Sequence, residues 1–334
     1  MRFWTICTTS CARVSVGVLL AAALAAQDAP HPFDYFLTGN AADVAKKTSP
    51  GFVLMGGGKD VDAAFRWLVQ KAGGGDVVVL RASGADGYNP YIYRMGVDSV
   101  ESMVIKTPEA ARDPFVLERI RNAEALWIAG GDQWNYIRVW GASPMRAAMQ
   151  AAIERGVPMG GTSAGLAVLG QFVFTAEKDS VTSAQALANP FHERVTVGSD
   201  FLDIPILRGI ITDTHFVARD RLGRLLVFLA RILEDGKAKE ARGIAVDERT
   251  AALVEPDGRV AIVGDGPAYF YRAAARPEVC RPGTPLTFRE IEVYRVKAGG
   301  AFDLKSWNGR DGAAYRLSVE AGAVRSTQAG GAVY

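Results

Sequence analysis

The segment GGTSAG at residues 160–165 decides how this chain is interpreted. A short apolar stretch, residues 157–159, precedes it, and helix-forming residues follow. This order predicts a strand that turns sharply into a helix, with Ser163 at the tip of the turn. Small neighbours would let a carbonyl group approach Ser163, and the N–H of Ala164 would face a developing oxyanion. The segment therefore predicts a nucleophilic serine, with an ordinary glycine-rich turn as the alternative.

The histidines narrow the choice of a general base, which a serine nucleophile of the usual kind needs. The chain has three, His31, His192 and His215. His31 follows a predicted export signal and His192 lies in a predicted loop, whereas His215 comes just after an apolar run, where a strand of an α/β fold would end. We predict His215 as the base, with a structural histidine as the alternative. Because no later histidine exists, the spacing argues against an ordinary α/β-hydrolase.

Short apolar runs alternate with amphipathic segments along the first part of the chain, which predicts buried parallel strands separated by helices. The predicted strands are residues 51–55, 77–80, 103–105 and 125–129, and the predicted helices are residues 61–71, 113–122 and 144–155. After about Ala251, short strands with turns indicate an antiparallel region. We predict an α/β protein with a doubly wound, mostly parallel sheet and a C-terminal antiparallel β extension. The Ala- and Gly-rich stretch after about Ser318 is expected to be poorly ordered.

The N-terminus has a basic start, a short apolar centre and small residues near position 26, which is typical of a signal peptide. We predict a signal peptide at residues 1–26, an α/β catalytic core at residues 27–251 and a β-rich extension of the same domain at residues 252–334. The predicted location is periplasmic or extracellular, with no membrane attachment after cleavage. The mature chain would keep Cys280 alone, so it could form no internal disulfide.

Charge and glycine patterns exclude some classes of function. A formal net charge of +2 over 334 residues argues against nucleic-acid binding through bulk electrostatics. The segment GGGK at residues 56–59 lacks the spacing of a phosphate-binding loop, so we interpret it as a tight turn near the active site. No metal ion and no cofactor is expected.

Four blocks of sequence resemble a known family. They are GGDQ at residues 130–133, GTSAG at 161–165, DTHFVARDRLGRL at 213–225 and GIAVDERTA at 243–251. The chain resembles the cyanophycinase branch of the serine peptidases that also include aspartyl dipeptidases. Weaker similarity runs from about residue 51 to about residue 270. The resemblance implies a fold like that of class I glutamine amidotransferases.

A serine and a histidine of this kind need a third residue, an acid that orients the histidine. Which acid this is depends on the branch of the family that the chain resembles. The cyanophycinase branch uses the glutamate of a block like residues 243–248, which implies Glu248. Its position after a predicted buried strand would bring a carboxylate to the same sheet edge as His215. The aspartyl dipeptidases take an aspartate between the serine and the histidine, where this chain has Glu177 and Asp179. We favour Glu248.

Further site residues follow from the first and third blocks. The backbone N–H of Gly131 is a candidate second oxyanion donor beside that of Ala164. The resemblance implies that Gln133 contacts substrate, with a simple helix N-cap by Asp132 as the alternative. The chain departs from the family pattern at Thr214, where the family has a glutamine.

The arginines of the third block are unusual for a helix start. Arg219, Arg221 and Arg224 crowd the predicted first turns, where the helix dipole disfavours cations. Guanidinium groups hold carboxylates in a bidentate manner, so we predict that these arginines bind carboxylates of a substrate. Asp213 is a candidate partner for a substrate guanidinium. A solvated charged face is the alternative.

The resemblance implies an exported peptidase that hydrolyses cyanophycin, a polyaspartate backbone with arginine on its β-carboxyl groups, to β-Asp-Arg dipeptides. An aspartyl or isoaspartyl dipeptidase is the second hypothesis. A non-catalytic binding protein on the same scaffold is the third. The expected partners are a peptide or cyanophycin substrate and, for the chain itself, a second copy as a homodimer.

Overall fold

The computed structural model describes Met1 and residues 31–334, so the predicted signal peptide lies outside the described residues except for Met1. The described strands join in one sheet. In chain order they are β1 (Asp34–Gly39), β2 (Phe52–Met55), β3 (Val77–Arg81), β4 (Ser99–Val104), β5 (Ala125–Ile128), β6 (Met159–Thr162), β7 (Phe172–Phe174), β8 (Val197–Ser199), β9 (Ile210–Asp213), β10 (Ala241–Val246), β11 (Thr250–Val254), β12 (Arg259–Gly264), β13 (Ala268–Ala273), β14 (Phe288–Asp303), β15 (Asn308–Glu320) and β16 (Ala323–Ser326).

The α-helices of the described residues are α1 (Asp62–Lys71), α2 (Tyr88–Tyr93), α3 (Pro114–Asn122), α4 (Gln133–Trp140), α5 (Pro144–Glu154), α6 (Ala164–Ala167), α7 (Ser183–Ala188) and α8 (Leu222–Glu234). Local sequence explains several starts. Asp113 caps α3 by accepting a hydrogen bond from the backbone N–H of Phe115, and Pro114 occupies the first helical position, where its missing N–H costs nothing. The predicted strands and helices of the first half correspond to β2–β5 and to α1, α3 and α5.

The sheet contains two parallel regions with antiparallel strands between them. Strands β4, β3, β5, β6 and β2 lie side by side in that order and run parallel. Strand β11 pairs antiparallel with β2 and begins the antiparallel group β11-β12-β14-β13. Strands β10, β9 and β7 follow and are again parallel to one another. The expected α/β class is therefore confirmed, and the sheet is mixed rather than mostly parallel.

Both faces of the first parallel region are covered. Successive side chains of a strand point to opposite faces, and β2 shows this clearly because all of its residues are buried. Leu54 belongs to the apolar core that includes α3 and α5. Val53 and Met55 belong to a second core that includes α1. A third core surrounds α8, whose residues are buried on nearly all sides.

The end of the described chain differs from the sequence-based expectation. Strand β15 extends to Glu320 and pairs with β16, and Tyr334 packs against the aromatic ring of Phe216. The expectation that this stretch is poorly ordered is therefore wrong, because a few apolar and aromatic side chains fix it to the sheet. Residues 32–334 form one compact unit. Among the described residues, no helix is both long enough and apolar enough to cross a membrane.

Candidate active site

The candidate residues meet at the carboxyl end of β2. Three successive backbone carbonyl oxygens, those of residues 55–57, accept hydrogen bonds from three later parts of the chain. The donors are the backbone N–H groups of Ser163, His215 and Arg249, at 3.1, 2.8 and 2.9 Å respectively. Arg249 directly follows Glu248. The end of one strand therefore sets the backbone positions of all three predicted triad residues.

Ser163 occupies the turn between β6 and α6 with an unusual backbone conformation. Its φ is 53° and its ψ is −118°, a strained combination for a residue other than glycine. A Cβ atom at Gly165 would lie 2.0 Å from the carbonyl oxygen of Ile128, so only glycine lets the helix approach β5 this closely. The strained turn and the close helix are features of a nucleophile elbow.

His215 lies just after β9, and its imidazole faces Ser163. The distance from Ser163 Oγ to His215 Nε2 is 2.7 Å. The His215 side chain is only 6% exposed. A Cβ atom at Gly57, where φ is +105°, would lie 2.3 Å from His215 Cε1. Gly57 is thus needed both for its backbone conformation and for the space that the imidazole ring occupies.

Glu248 follows β10 and contacts the other side of the imidazole. The distance from His215 Nδ1 to Glu248 Oε1 is 2.6 Å. An ionised carboxylate only accepts hydrogen bonds, so His215 Nδ1 carries the hydrogen and Nε2 is left to accept the proton of Ser163. The structure thus brings together Ser163, His215 and Glu248 in the order of a nucleophile, a base and an orienting acid.

The alternative acids lie elsewhere. Both Glu177 and Asp179 are exposed. Asp179 forms an ion pair with Arg194 at 3.4 Å. Among the described carboxylates, Glu248 is the one that accepts a hydrogen bond from the His215 imidazole. The geometry therefore favours Glu248 over the earlier segment.

The predicted oxyanion donors lie near Ser163. Ala164 is the first residue of α6, and a helix has no internal acceptor for its first N–H groups. A Cβ atom at Gly130 would lie 3.4 Å from the Cβ of Ser163, which places the loop containing Gly131 beside the nucleophile. The role of both N–H groups stays a prediction.

Gln133 is the first residue of α4, at the same end of the sheet. Its side-chain Nε2 donates a hydrogen bond to the carbonyl oxygen of Phe174 at 3.3 Å. The side chain of Asp132 accepts a hydrogen bond from the backbone N–H of Trp134 at 2.9 Å, so the N-cap considered as the alternative is present. Asp132 caps the helix whether or not Gln133 binds substrate, so the substrate contact of Gln133 stays a prediction.

The environment sets the protonation states of the triad. Burial lowers the pKa of His215 below its ordinary value, the hydrogen bond to Glu248 opposes this shift, and the charges of Arg219 and Arg221 add to it. The hydrogen bond from His215 lowers the pKa of Glu248. At neutral pH the imidazole is therefore neutral and the carboxylate ionised, which is the state that a general base requires.

A lowered pKa of His215 predicts the pH dependence of the reactivity of Ser163. We expect the rate of covalent labelling by a fluorophosphonate to fall only below about pH 6.5, the ordinary value for imidazole, because the base is inactive once protonated. The pH profile of the labelling rate measures this directly. A half-maximal rate at pH 7 or above would contradict it.

Arg224 and Asp213 form a buried pair rather than a substrate site. Arg224 Nε donates to Asp213 Oδ2 at 2.9 Å, and Arg224 Nη2 donates to Asp213 Oδ1. Both side chains are only 3% exposed. The pair links the end of β9 to the first turn of α8 and neutralises the cation there. The predicted roles of Arg224 in binding carboxylates and of Asp213 in binding a guanidinium are therefore not supported by this geometry.

A stability measurement tests the structural role of this pair. We expect Arg224→Met to lower the free energy of unfolding by about 3 kcal/mol, because it leaves the buried carboxylate of Asp213 with only the longer ion pair to Arg221, at 3.7 Å. The control is Arg208→Met, which breaks an exposed pair with Asp203 and is expected to cost less than about 1 kcal/mol. Urea denaturation measures both. A stable Arg224→Met protein with a raised KM would instead return Arg224 to substrate binding.

The other arginines of the block differ in exposure. Helix α8 begins at Leu222, so Arg219 and Arg221 precede it, contrary to the expectation that they lie in its first turns. Arg221 Nη1 donates to the carbonyl oxygen and the hydroxyl of Thr214, at 3.0 and 2.9 Å. The Arg219 side chain is 54% exposed, with its Nε 4.0 Å from Glu248 Oε1. Of the three predicted carboxylate-binding arginines, Arg219 is the one that solvent reaches freely.

Asp247 was not predicted from the sequence, although it holds the site together. Asp247 Oδ1 accepts hydrogen bonds from the backbone N–H groups of Val217 and Ala218, at 3.0 and 3.1 Å. Asp247 thus ties the loop that carries His215 to the turn that carries Glu248. The sequence did point to Asp247, since it directly precedes Glu248 in one of the four blocks that resemble the family.

The arrangement of Ser163, His215 and Glu248 is the one found in hydrolases that use a nucleophile, a base and an acid. Comparison with known proteins agrees with this class. The family model described as Peptidase family S51 matches residues 86–192. A cyanophycinase from Synechococcus elongatus is 24% identical over 276 residues, which cover 77% of this chain and 80% of the relative. A cyanophycinase from Trichormus variabilis is 25% identical over 215 residues, covering 63% and 67%.

A solved structure supports the fold. The crystal structure of a peptidase from an acI-B1 Actinobacterium superposes with a TM-score of 0.51 and 14% identity, covering 77% of this chain and 98% of that one. The chain is thus similar to cyanophycinases over most of its length and, over residues 86–192, to peptidase family S51. The resemblance seen in the four sequence blocks is thereby confirmed.

Proposed function

We propose that this chain is an exported serine-type peptidase that hydrolyses cyanophycin to β-Asp-Arg dipeptides. The observation that carries the proposal is the continuous contact from Ser163 Oγ to His215 Nε2, at 2.7 Å, and from His215 Nδ1 to Glu248 Oε1, at 2.6 Å. The similarity to cyanophycinases over most of the chain supports the choice of substrate.

The proposed reaction passes through an acyl-enzyme. Ser163 Oγ attacks the carbonyl carbon of the scissile amide as its proton moves to His215 Nε2. The N–H groups of Ala164 and Gly131 stabilise the oxyanion. His215 then gives the proton to the leaving amine, and the C–N bond breaks. Water attacks the ester with His215 again as base, and Ser163 leaves with the returned proton.

Arg219 is the proposed contact for a substrate carboxylate. Its guanidinium is exposed beside Glu248, whereas Arg221 and Arg224 are engaged with other protein groups. Every repeat of cyanophycin presents a free arginine carboxylate, which a guanidinium binds well. Charge complementarity at the mouth of the site therefore supports an anionic group of the substrate close to the scissile bond.

Incubation with insoluble cyanophycin granules tests the substrate. The expected result is that the granules clear and that mass spectrometry detects released β-Asp-Arg dipeptides. The Ser163→Ala protein is the matched control. Cleavage of free Asp-containing or isoaspartyl dipeptides without clearing would favour the dipeptidase hypothesis. Absence of fluorophosphonate labelling at Ser163 would favour a non-catalytic binding protein.

Export is a separate part of the proposal. The basic start and apolar centre of residues 1–26 support cleavage near position 26. N-terminal sequencing of native protein from the periplasm or culture medium tests it. A chain that keeps Met1 and stays in the cytosol would contradict it.

A further inference from the structure

The loop that carries His215 is under backbone strain. We call residues 215–221, which lie between β9 and α8, the histidine loop. His215 and Asp220 have φ values of 47° and 45°, in the left-handed region that residues other than glycine rarely adopt. Such conformations persist only where the surrounding structure holds them. The contacts that hold this loop therefore bear on the position of the imidazole.

One side of the histidine loop is held from within the fold. Asp247 accepts the N–H groups of Val217 and Ala218, next to the turn that carries Glu248. Ser183 Oγ donates to the carbonyl oxygen of Asp220. The outer end of the loop, where residues 218–220 are exposed, has a further partner.

Tyr334 is that partner. Its hydroxyl donates to Asp220 Oδ1 at 2.8 Å and accepts from the backbone N–H of Leu222 at 3.2 Å. It thus bridges the end of the loop and the first residue of α8. The Tyr334 ring packs edge-on against Phe216, with centroids 5.7 Å apart. Phe216 is fully buried and directly follows His215.

Tyr334 is itself fixed to the sheet. Arg295 Nη1 in β14 donates to the carbonyl oxygen of Tyr334 at 2.7 Å. Tyr315 Oη in β15 donates to the carbonyl oxygen of Val333 at 3.3 Å. Burial raises the pKa of Tyr334, so its hydroxyl keeps the proton that it donates to Asp220. The antiparallel strands therefore present a rigid hydroxyl to the histidine loop.

We propose that Tyr334 is a positioning residue for His215, holding the histidine loop so that Nε2 stays in hydrogen-bond contact with Ser163 Oγ. The inference rests on the proposed function, since it takes His215 as the base for Ser163. Its ring supports Phe216 at the start of the loop, and its hydroxyl holds Asp220 and the start of α8 at the other end. It touches neither Ser163 nor His215, so its effect passes through the loop.

The test separates the hydroxyl from the ring. Tyr334→Phe removes the hydroxyl alone, Tyr334→Ala removes both, and Tyr93→Ala removes an exposed tyrosine elsewhere as the control. We expect Tyr334→Phe to lower the maximal rate of fluorophosphonate labelling at Ser163 by about three- to tenfold, the size of the effect of losing one ordinary hydrogen bond. For Tyr334→Ala we expect this labelling rate to fall by about ten- to a hundredfold, as for a misplaced catalytic group.

Two further readouts distinguish positioning from a general loss of stability. The reagent concentration that gives the half-maximal labelling rate should stay within about twofold of wild type, because reagent binding does not depend on the base. Hydrogen–deuterium exchange should increase at residues 216–222 and not across the sheet. The Tyr93→Ala protein should match wild type in all three measurements.

The outcomes separate this inference from the proposed function. A wild-type protein that the fluorophosphonate does not label at Ser163 would overturn the proposed function. A labelled wild type together with a Tyr334→Phe protein of equal labelling rate would overturn the inference alone. If Tyr334→Ala does not fold, Tyr334→Phe decides. Slower labelling with increased exchange throughout the sheet would also overturn the inference, since the role would then be only structural.

Discussion

Replacing Ser163 with alanine is expected to abolish hydrolysis and fluorophosphonate labelling while leaving the fold intact. The hydroxyl is the only group that the change removes, and Ser163 is half-buried at a turn rather than packed in a core. Loss of a triad nucleophile or base removes most of the catalytic acceleration, so we expect turnover to fall by more than about a thousandfold. His215→Ala should have a comparable effect on turnover. Initial rates on granules, with circular dichroism to check folding, measure both.

The matched controls are Ser199→Ala and His192→Ala, which change the same residue types away from the triad. Both should retain activity near that of wild type. If Ser163→Ala kept more than about a hundredth of wild-type turnover, the assignment of the nucleophile would be wrong, because loss of a triad nucleophile lowers turnover much further.

Glu248→Gln is expected to lower turnover by about a thousand- to ten-thousandfold. The amide keeps the size of the side chain but removes the negative charge that fixes the proton on His215 Nδ1, and a similar change in another triad has an effect of this order. Glu177→Gln and Asp179→Asn should stay near wild type, since both side chains are exposed and away from the imidazole. Turnover of the three proteins under the same conditions measures the difference.

The reverse pattern, with a strong effect of Glu177→Gln or Asp179→Asn and a weak one of Glu248→Gln, would move the orienting role to the segment after β7. A strong effect in all three would indicate that the variants disturb folding, which thermal unfolding would reveal. The contact between His215 and Glu248 makes the first pattern the expected one.

Local patterns in the sequence were sufficient to propose Ser163 as the nucleophile, but they did not identify every residue that lies near it. The turn at Ser163 depends on adjacent glycines and a preceding apolar strand, all of which are contiguous in sequence. His215 could be selected because so few histidines exist. Glu248 needed the family resemblance, since an acid after a strand is common and its distance from an imidazole is set by tertiary structure.

The arginines show where local reasoning stops. Arg224 was predicted from the helix dipole to bind a substrate carboxylate. The carboxylate that it contacts is that of Asp213, which lies at the end of β9 and faces Arg224 only once α8 has packed on the sheet. Likewise, the placement of β11 beside β2 depends on pairing between distant segments, which composition and periodicity do not specify. Tyr334 was missed because its surroundings are rich in Ala and Gly.

The three carbonyl groups at residues 55–57 determine how late in the synthesis of the chain the site can form. Ser163, His215 and Arg249 all bond to a turn that leaves the ribosome early, and Gly56 donates its N–H to Thr250, which leaves it late. Pairings between such distant segments form slowly, after local helices and hairpins. A nascent chain that ends before β10 and β11 therefore contains Ser163 and His215 but lacks Glu248 and the strand that pairs with β2. Hydrolytic activity is therefore expected only in a chain long enough, and free enough, for residue 250 to pair with the end of β2.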